Sequence, residues 1–387
     1  MCGFVGFVDK KKNKKKIIKN MADLIKHRGP DSDGYYNDDN CALGFRRLSI
    51  IDLDGGTQPI YNDKNDMVIV FNGEIYNYQE IREELIKKGY KFKTKTDTEV
   101  ILHGYEEYKE NILNKLRGMF AFVIYDIKNR EVFGARDFFG IKPLYYYKND
   151  DEFMFGSEIK SFLGHPDFKK ELNKEALKPY LTFQYSCLNE TFFKNVFKLD
   201  PGHYFKYKDN ELKICKYYEI SYDNKKCDLD KCVDEINACM DESIKYHKIS
   251  DVEVGSFLSS GVDSSYIVSC ANVDKSYTVG FKNDGFDETE PARDLSKILK
   301  KKHRSEIITP DMFFDILPTV QYHSDEPHAN LSAVPLYFLS KMASEDVKVV
   351  LSGEGADELF GGYLWYDEPD VVIKYKKIPY CIRHALA

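Results

Sequence analysis

The sequence predicts a two-domain chain, an α+β first half rich in antiparallel strands followed by an α/β second half built on a parallel sheet. Three observations carry this. Residues 119–127 and 130–136 alternate apolar and polar side chains like two paired strands. After residue 252, strands and helices alternate, and two of the strands run into Ser/Gly-rich turns followed by helices. Between the halves, residues 206–229 are charged and weakly patterned, so the boundary is placed there, with domains at 1–208 and 230–387 and a linker at 209–229 carrying some strand near 214–220. A chain of 387 residues is long enough to bury two cores.

Composition narrows the class. Hydrophobic content of 43% and charged content of 31% describe a globular protein, and a net charge of −7 argues against general nucleic-acid binding. The run Lys10–Lys16, broken only by Asn13, reads as a solvated hairpin tip, with anion binding second. The nine cysteines form no regular framework, which suggests reduced thiols and a cytoplasmic setting. Cys227, Cys232 and Cys239 cluster without a CxxC pair. Cys232, Val233, Ile236, Cys239, Met240 and Ile244 follow helical spacing, so buried free thiols are expected rather than zinc ligands. No apolar stretch reaches the ~20 residues of a membrane helix, and no signal peptide precedes Cys2.

The chain opens Met1-Cys2-Gly3-Phe4-Val5-Gly6. With Met1 removed, Cys2 carries a thiol of reference pKa about 8.5 and an α-amine of about 7.7–8.0, and such an amine can take the thiol proton near neutral pH. Phe4 to Val8 reads as a strand. Ile17, Ile18, Met21, Leu24 and Ile25 form an amphipathic helix that stops before the loop His27-Arg28-Gly29-Pro30-Asp31. Leu43 to Ile51 is strand-like and bears Arg46 and Arg47, either of which can clamp a carboxylate. Met67–Phe71 is a strand leading into Asn72-Gly73-Glu74. Asn-Gly is a hairpin signal, but the helical pattern that follows, with Asn77 and Glu80 in capping-box register, argues against a hairpin. An Asn side chain beside a Gly N–H can instead supply two donors to an oxyanion. Asp97 begins a helical pattern, where an N-cap role needs no ligand. Residues 136–146 and 155–160 complete the motifs of this half.

The N-terminal Cys, the HRGPD loop, Arg47-Leu48-Ser49-Ile50, Asn72-Gly73-Glu74, Asp97 and the GIKPLYY stretch at 140–146 together resemble the glutaminase domain of N-terminal-nucleophile (class II) glutamine amidotransferases. The resemblance implies an αββα sandwich of two antiparallel sheets. It makes Cys2 the nucleophile that forms a glutamyl thioester and releases ammonia, and Asn72 and Gly73 the oxyanion hole. Arg47 would hold the glutamine α-carboxylate and Asp97 the α-ammonium. Leu48, Ser49, Ile50, Ile51 and Glu74 would complete the glutamine pocket.

In the second half a helix spans about 230–247. Val252–Leu258 then reads as a strand entering Ser259-Ser260-Gly261-Val262-Asp263-Ser264-Ser265, with a helix from about Tyr266. Such a strand, turn and helix N-terminus make an anion cradle, and Asp263 is a candidate Mg²⁺ ligand. No GK[ST] is present, so this is no Walker A loop. A second buried-type strand, 347–351, delivers Ser352-Gly353-Glu354-Gly355-Ala356-Asp357-Glu358-Leu359-Phe360-Gly361-Gly362-Tyr363. Between the two lie a strand at 276–281, a helix started by Pro291 and a helix over 332–344. Parallel sheets bind ligands at the carboxyl ends of their strands, where both turns fall.

This half resembles the ATP pyrophosphatase (PP-loop) fold, and the two halves together resemble the glutamine-hydrolysing asparagine synthetase family. The resemblance implies ATP and Mg²⁺, with glutamine and aspartate as the other substrates. Ser259, Gly261, Asp263, Ser264 and Ser265 would contact the phosphates, and Asp263 and Asp357 would hold the metal. Leu258, Val279, Ser352 and Gly353 would frame the nucleotide, and Glu354 would help form a β-aspartyl-AMP intermediate. No nucleic-acid or membrane partner is expected, and a homodimer is compatible with the reading. Two departures stand out. Ser260 replaces the family's usual Gly, which matters if that turn needs positive φ. Only Leu364–Ala387 follow the second cradle, so the chain reads as C-terminally truncated. The alternatives are an amidotransferase with another carboxylate acceptor and a form retaining only glutaminase activity. His303 and the turn Asp325-Glu326-Pro327 are placed either near the acceptor or on surface loops.

Overall fold

The computed structural model describes residues 1–10, 13–53, 55–222, 228–282 and 287–386. Lys11 and Lys12 of the basic run, and Cys227 of the cysteine cluster, lie outside them. The chain begins with β1 (Gly3–Val8), α1 (Lys14–Asp23), β2 (Ser32–Asn37), β3 (Cys41–Arg47), β4 (Ile60–Tyr61), β5 (Met67–Ile75), α2 (Tyr78–Lys87) and α3 (Asp97–Tyr108). Next come β6 (Gly118–Asp126), β7 (Glu131–Arg136), β8 (Tyr145–Lys148), β9 (Phe153–Gly156), α4 (Leu177–Phe183), β10 (Val196–Lys198), β11 (His203–Lys208), β12 (Glu211–Lys216) and α5 (Leu229–His247). The remainder holds β13 (Val254–Phe257), α6 (Val262–Ala271), β14 (Lys275–Phe281), α7 (Thr289–Ile298), β15 (Lys302–Ile308), α8 (Pro310–Ser324), α9 (Ala333–Ser344), β16 (Val349–Leu351), α10 (Ala356–Phe360), α11 (Asp370–Lys376) and α12 (Tyr380–Leu386).

The chain packs into two units, Met1–Glu253 with Thr309–Ser340, and Val254–Ile308 with Lys341–Ala387. In the first, two six-stranded sheets run in the orders β10-β8-β9-β1-β3-β2 and β12-β11-β7-β6-β5-β4. Neighbouring strands are antiparallel throughout, as between β1 and β3 or β5 and β6. Strand alternation builds the layers. Phe4, Leu43, Phe45, Val68, Val70 and Val123 point between the sheets. Val5, Phe7 and Ala42 face the opposite way, onto Ile17, Ile18, Met21 and Ala22 of α1. Ile69 and Phe71 pack outward on Ile81, Leu85, Val100 and Ile101 of α2 and α3. The result is a helix–sheet–sheet–helix sandwich.

Glu211–Lys216 is not linker. It forms β12, the edge strand paired with β11 through a two-residue turn in which Asp209 and Asn210 both have positive φ. Its exposed, charged residues hide the alternation. The packing units also depart from the division at 209–229, because α5 and the segment Thr309–Ser340 pack within the first unit. On α5 only Ile244 is buried, while Cys239 is exposed and Cys232 half-exposed, so the expected buried thiols are absent there. Its C-terminal end is what anchors it: Tyr246 stacks under Arg117 and donates to Glu80, and His247 packs on Tyr76.

In the second unit β15-β14-β13-β16 form a parallel sheet. From β13 the chain moves outward to β14 and β15, then returns to β16 on the other side of β13. The strand order therefore reverses between β13 and β16, the place where an open α/β sheet leaves a crevice at its carboxyl ends. Leu258, Val268 and Ala292, with Leu295 and Leu299, pack one face of this sheet.

Candidate functional site

The same alternation that layers the first unit assembles its site. Cys2 precedes Phe4 by two residues, Arg47 follows Phe45 by two, and Asn72 and Glu74 continue the face of Val68 and Val70. All four therefore point between the sheets, at one end. Asn72 and Gly73 lie inside β5, opposite Ala121 and Phe120 of β6, so no hairpin forms at Asn-Gly. A Cβ on Gly73 would come within 2.2 Å of the Met119 carbonyl, so the glycine is required by the neighbouring backbone. The Cys2 thiol sits at the end of β3, where the Leu48 N–H donates to Sγ at 3.4 Å and Sγ donates to the Leu48 carbonyl at 3.5 Å.

The HRGPD loop props this segment. Asp31 N donates to the Arg47 carbonyl at 3.0 Å, and Ser49 N donates to the Asp31 carboxylate at 2.9 Å. A Cβ on Gly29 would lie 2.3 Å from the Arg46 carbonyl carbon, so only glycine lets the loop press this close. Arg46 faces outward, donating to the Ala22 carbonyl at 3.1 Å and pairing with Asp23 and Asp33. Arg47, buried, donates to the carbonyls of Ile51, Asp52 and Leu53 at 3.2, 2.6 and 3.4 Å. Three of its five N–H groups are thus used among the described residues. Ile50 turns its carbonyl to the Asp251 N–H.

Asp97 is the first residue of α3, and the cap is its neighbour: the Thr96 hydroxyl accepts from Glu99 N at 3.4 Å. The Asp97 carboxylate accepts instead from Ile75 N at 2.9 Å, beside Glu74. Burial lifts the Asp97 carboxyl to about 6, and burial together with the nearby Asp97 raises Glu74 well above the carboxylate range. Burial lowers the N-terminal amine to about 6 and pushes the Cys2 thiol up. The capping box expected at Asn77 is also absent. Its side chain spans to the segment just before β6, accepting from Arg117 N and donating to the Lys115 carbonyl.

In the second unit, α6 starts at Val262, four residues earlier than the sequence pattern suggested. Asp263, Ser264 and Ser265 consequently lie in its first turn, where backbone N–H groups are free of helical partners. Gly261, the cap, is extended at φ −74°, and no residue from 258 to 264 has positive φ. Ser260 therefore fits without strain. The Ser259 and Ser264 hydroxyls bond at 2.7 Å, and Ser265 donates to the Gly261 carbonyl at 2.7 Å. Gly353 presses on this turn, since a Cβ there would lie 2.9 Å from Asp263 Cβ and 3.1 Å from Ser264 N. The turns at Ser259 and Ser352 thus form one cradle across the β13–β16 crevice. Ser352, Glu354 and Asp263 are exposed and Asp357 half-buried. Asp263 lies in the first turn of α6 and Asp357 in the first turn of α10, and carboxylates of this kind suit Mg²⁺ with phosphate oxygens. Leu258 is buried in the core, with Thr278 donating to its carbonyl, and Val279 lies half-buried on β14. His303 is the second residue of β15, bonded to Ser276 at 3.0 Å, in register with Ser256 of β13 and Leu351 of β16 across the sheet.

The profile of the family described as "Glutamine amidotransferase domain" matches residues 1–218, and that described as "Asparagine synthase" matches residues 235–385. The chain is 44% identical to asparagine synthetase [glutamine-hydrolyzing] 1 of Bacillus subtilis over 98% of its own length and 61% of the relative's. To asparagine synthetase [glutamine-hydrolyzing] 3 of the same organism it is 32% identical, over 96% of this chain and 64% of the other. A Methanocaldococcus jannaschii relative carrying the same family name is 36% identical over 94% of this chain and 76% of its own length. The chain belongs to the glutamine-hydrolysing asparagine synthetase family. It spans about three fifths of the length of the first two of these relatives.

Within that family frame, three residues at the Cys2 site had no role assigned from sequence. Arg28 donates to the Cys2 carbonyl at 2.9 Å and to Glu158 at 2.9 Å. A Cβ on Gly3 would lie 2.8 Å from Arg28 Cδ, so that glycine gives the arginine its passage. Oriented to satisfy its neighbours, the Asn72 amide donates to the Cys2 carbonyl at 2.9 Å and accepts from Arg28 at 3.3 Å. Lys142 is buried beside Glu74, and burial lowers its ammonium to about 8. Arg28, Lys142 and Glu158 lie in the stretches 27–31, 140–146 and 155–160. Only the fold shows that they converge. Among the described residues, the one group of three potential metal ligands within 4.8 Å is Asp9, His165 and Asp167, where Lys14 already pairs with Asp9.

Proposed function

We propose that the chain makes asparagine from aspartate, glutamine and ATP. The observation that carries this is the convergence of Cys2, Arg47, Asn72, Glu74 and Asp97 on one buried end of the sandwich. Arg47 and Asp97 present opposite charges, complementary to the α-carboxylate and α-ammonium of an amino acid, and leave its side-chain amide to Cys2. Once Met1 is removed, the α-amine of Cys2 is the base beside its own thiol. It takes the thiol proton, and Sγ attacks the glutamine side-chain carbonyl. Asn72 Nδ2 and Gly73 N–H stabilise the oxyanion. The amide nitrogen leaves as ammonia, and water releases glutamate from the thioester.

We assign this chemistry to residues 1–208, and the ATP and aspartate chemistry to 230–387. In the cradle, Ser259, Gly261, Ser264 and Ser265 contact the phosphates, while Leu258, Val279, Ser352 and Gly353 frame the nucleotide. Asp263 and Asp357 would hold Mg²⁺, which offsets phosphate charge. An aspartate β-carboxylate oxygen attacks the α-phosphorus and pyrophosphate leaves. Glu354 assists formation of this β-aspartyl-AMP, from which ammonia displaces AMP. A reduced, cytoplasmic setting suits the free thiol. Among the described residues, no helix is long and apolar enough to cross a membrane.

Incubation with ATP, Mg²⁺, aspartate and amide-¹⁵N glutamine tests the reading. Label is expected in the asparagine amide. Cys2→Ala is expected to lose synthesis from glutamine and keep synthesis from ammonium. Label absent from asparagine, or glutamine turnover unchanged in Cys2→Ala, refutes it.

A further inference from the structure

A buried chain of charges leads away from Cys2. Arg28, which holds the Cys2 carbonyl, pairs with Glu158 at 2.9 Å. Glu158 also accepts from Lys160 at 2.5 Å and lies 3.0 Å from His27 Nε2. Lys160 reaches the carboxylate of Asp325 at 2.9 Å, and the other oxygen of Asp325 accepts from Ile159 N at 2.7 Å. Lys160 is 4% and Glu158 7% exposed, and the Asp325 side chain is 7% exposed. Two cations and two carboxylates thus balance with little exposure to water, where removing one partner leaves a charge poorly compensated.

The backbone at Asp325 shows that this side chain is held with effort. Its φ of 64° and ψ of −43°, with Glu326 N donating to the Ser324 carbonyl at 2.7 Å, make a three-residue turn of the hand that L-residues rarely adopt. The next residue, Glu326, accepts from Phe192 N at 3.1 Å. Consecutive carboxylates therefore fasten the end of α8 to the sandwich unit.

We propose that Asp325 is a positioning residue for the thiol site, acting through Lys160 and Glu158 on Arg28, and so on the Cys2 carbonyl and the Asn72 amide. The proposal rests on the glutaminase reading above. A residue within the asparagine synthase match thereby sets the geometry of the amidotransferase site, and a shift of the α8 turn is felt at Cys2.

Without the Asp325 charge, Lys160 has Glu158 as its remaining carboxylate and draws it from Arg28. Removing Lys160 as well leaves Glu158 to Arg28 and His27. Asp325→Asn in the full chain is therefore expected to lower kcat for glutamine hydrolysis about tenfold with KM within about twofold, and Lys160→Met/Asp325→Asn to recover to within about threefold of wild type. A residue that only stabilised the fold would make the double variant at least as poor as the single. Iodoacetamide labelling of the Cys2 peptide, followed by mass spectrometry, is the second readout. Its rate is expected to change at least about threefold in the single variant and return in the double. An unchanged single variant, or equal losses in both, overturns the proposal. Should Asp325→Asn not fold, Asp325→Glu keeps the charge but moves it by one methylene, and kcat equal to wild type there also overturns it. If wild type fails to hydrolyse glutamine, the glutaminase reading falls, and the positioning role is decided by the labelling rates.

Discussion

Arg46 and Arg47 are chemically alike and adjacent, yet β3 turns them to opposite faces. One ties α1 to the sheet, and the other lines the thiol pocket. Asp97 shows the opposite case, a single residue under two demands. Folding raises its carboxyl from 3.8 to about 6, so its contribution to stability is present below pH 3.8 and lost as pH rises through 6. Binding an ammonium needs the ionised form, so glutamine affinity runs the other way. KM for glutamine is expected to rise as pH falls below 6. Asp97→Asn should raise KM by roughly 100-fold or more at pH 7 and lift Tm by roughly 2–4 °C, read by steady-state kinetics and thermal melts. Cys2 was legible as a candidate nucleophile from its position in the chain. The contribution of Arg28 was not, because its partners lie 26 and 130 residues away.

Elements were legible where one face is buried and the other wet. The helix at α1 and the paired strands β6 and β7 follow that rule. β15 did not show and β12 showed only in part, as strand near 214–220, since edge strands carry charge on both faces and their alternation is weak. In β5 the local signal was overruled: Asn-Gly favours a turn, but nine residues of pairing with β6 keep it extended. Gly73→Ala would drive a methyl into the Met119 carbonyl. It is expected to destabilise by about 1–3 kcal/mol in denaturant melts and to lower glutamine turnover further, because Asn72 and Glu74 flank it.

At the scale of the molecule, two units hold separate cores. Damage to the cradle should therefore leave the thiol chemistry intact. Gly353→Ala would press on Asp263 and Ser264, and is expected to weaken ATP-dependent pyrophosphate release about tenfold while glutamine hydrolysis stays within about twofold of wild type. Equal losses of both activities would show that this separation does not hold.

The sequence by itself determined the two fold classes, the candidate nucleophile and the two Ser/Gly-rich turns, because these are local: an N-terminal residue, a hydrophobic period, a strand that ends in small residues. Tertiary structure decided the rest. It turned Arg47 rather than Arg46 into the thiol pocket, placed Thr96 rather than Asp97 at the helix cap, relieved the strain feared at Ser260 and put His303 on β15 rather than on a loop. It also carried Asp325 into the first unit. Each of these depends on which strand face or distant partner a side chain meets, and that is set only when the sheets close on one another.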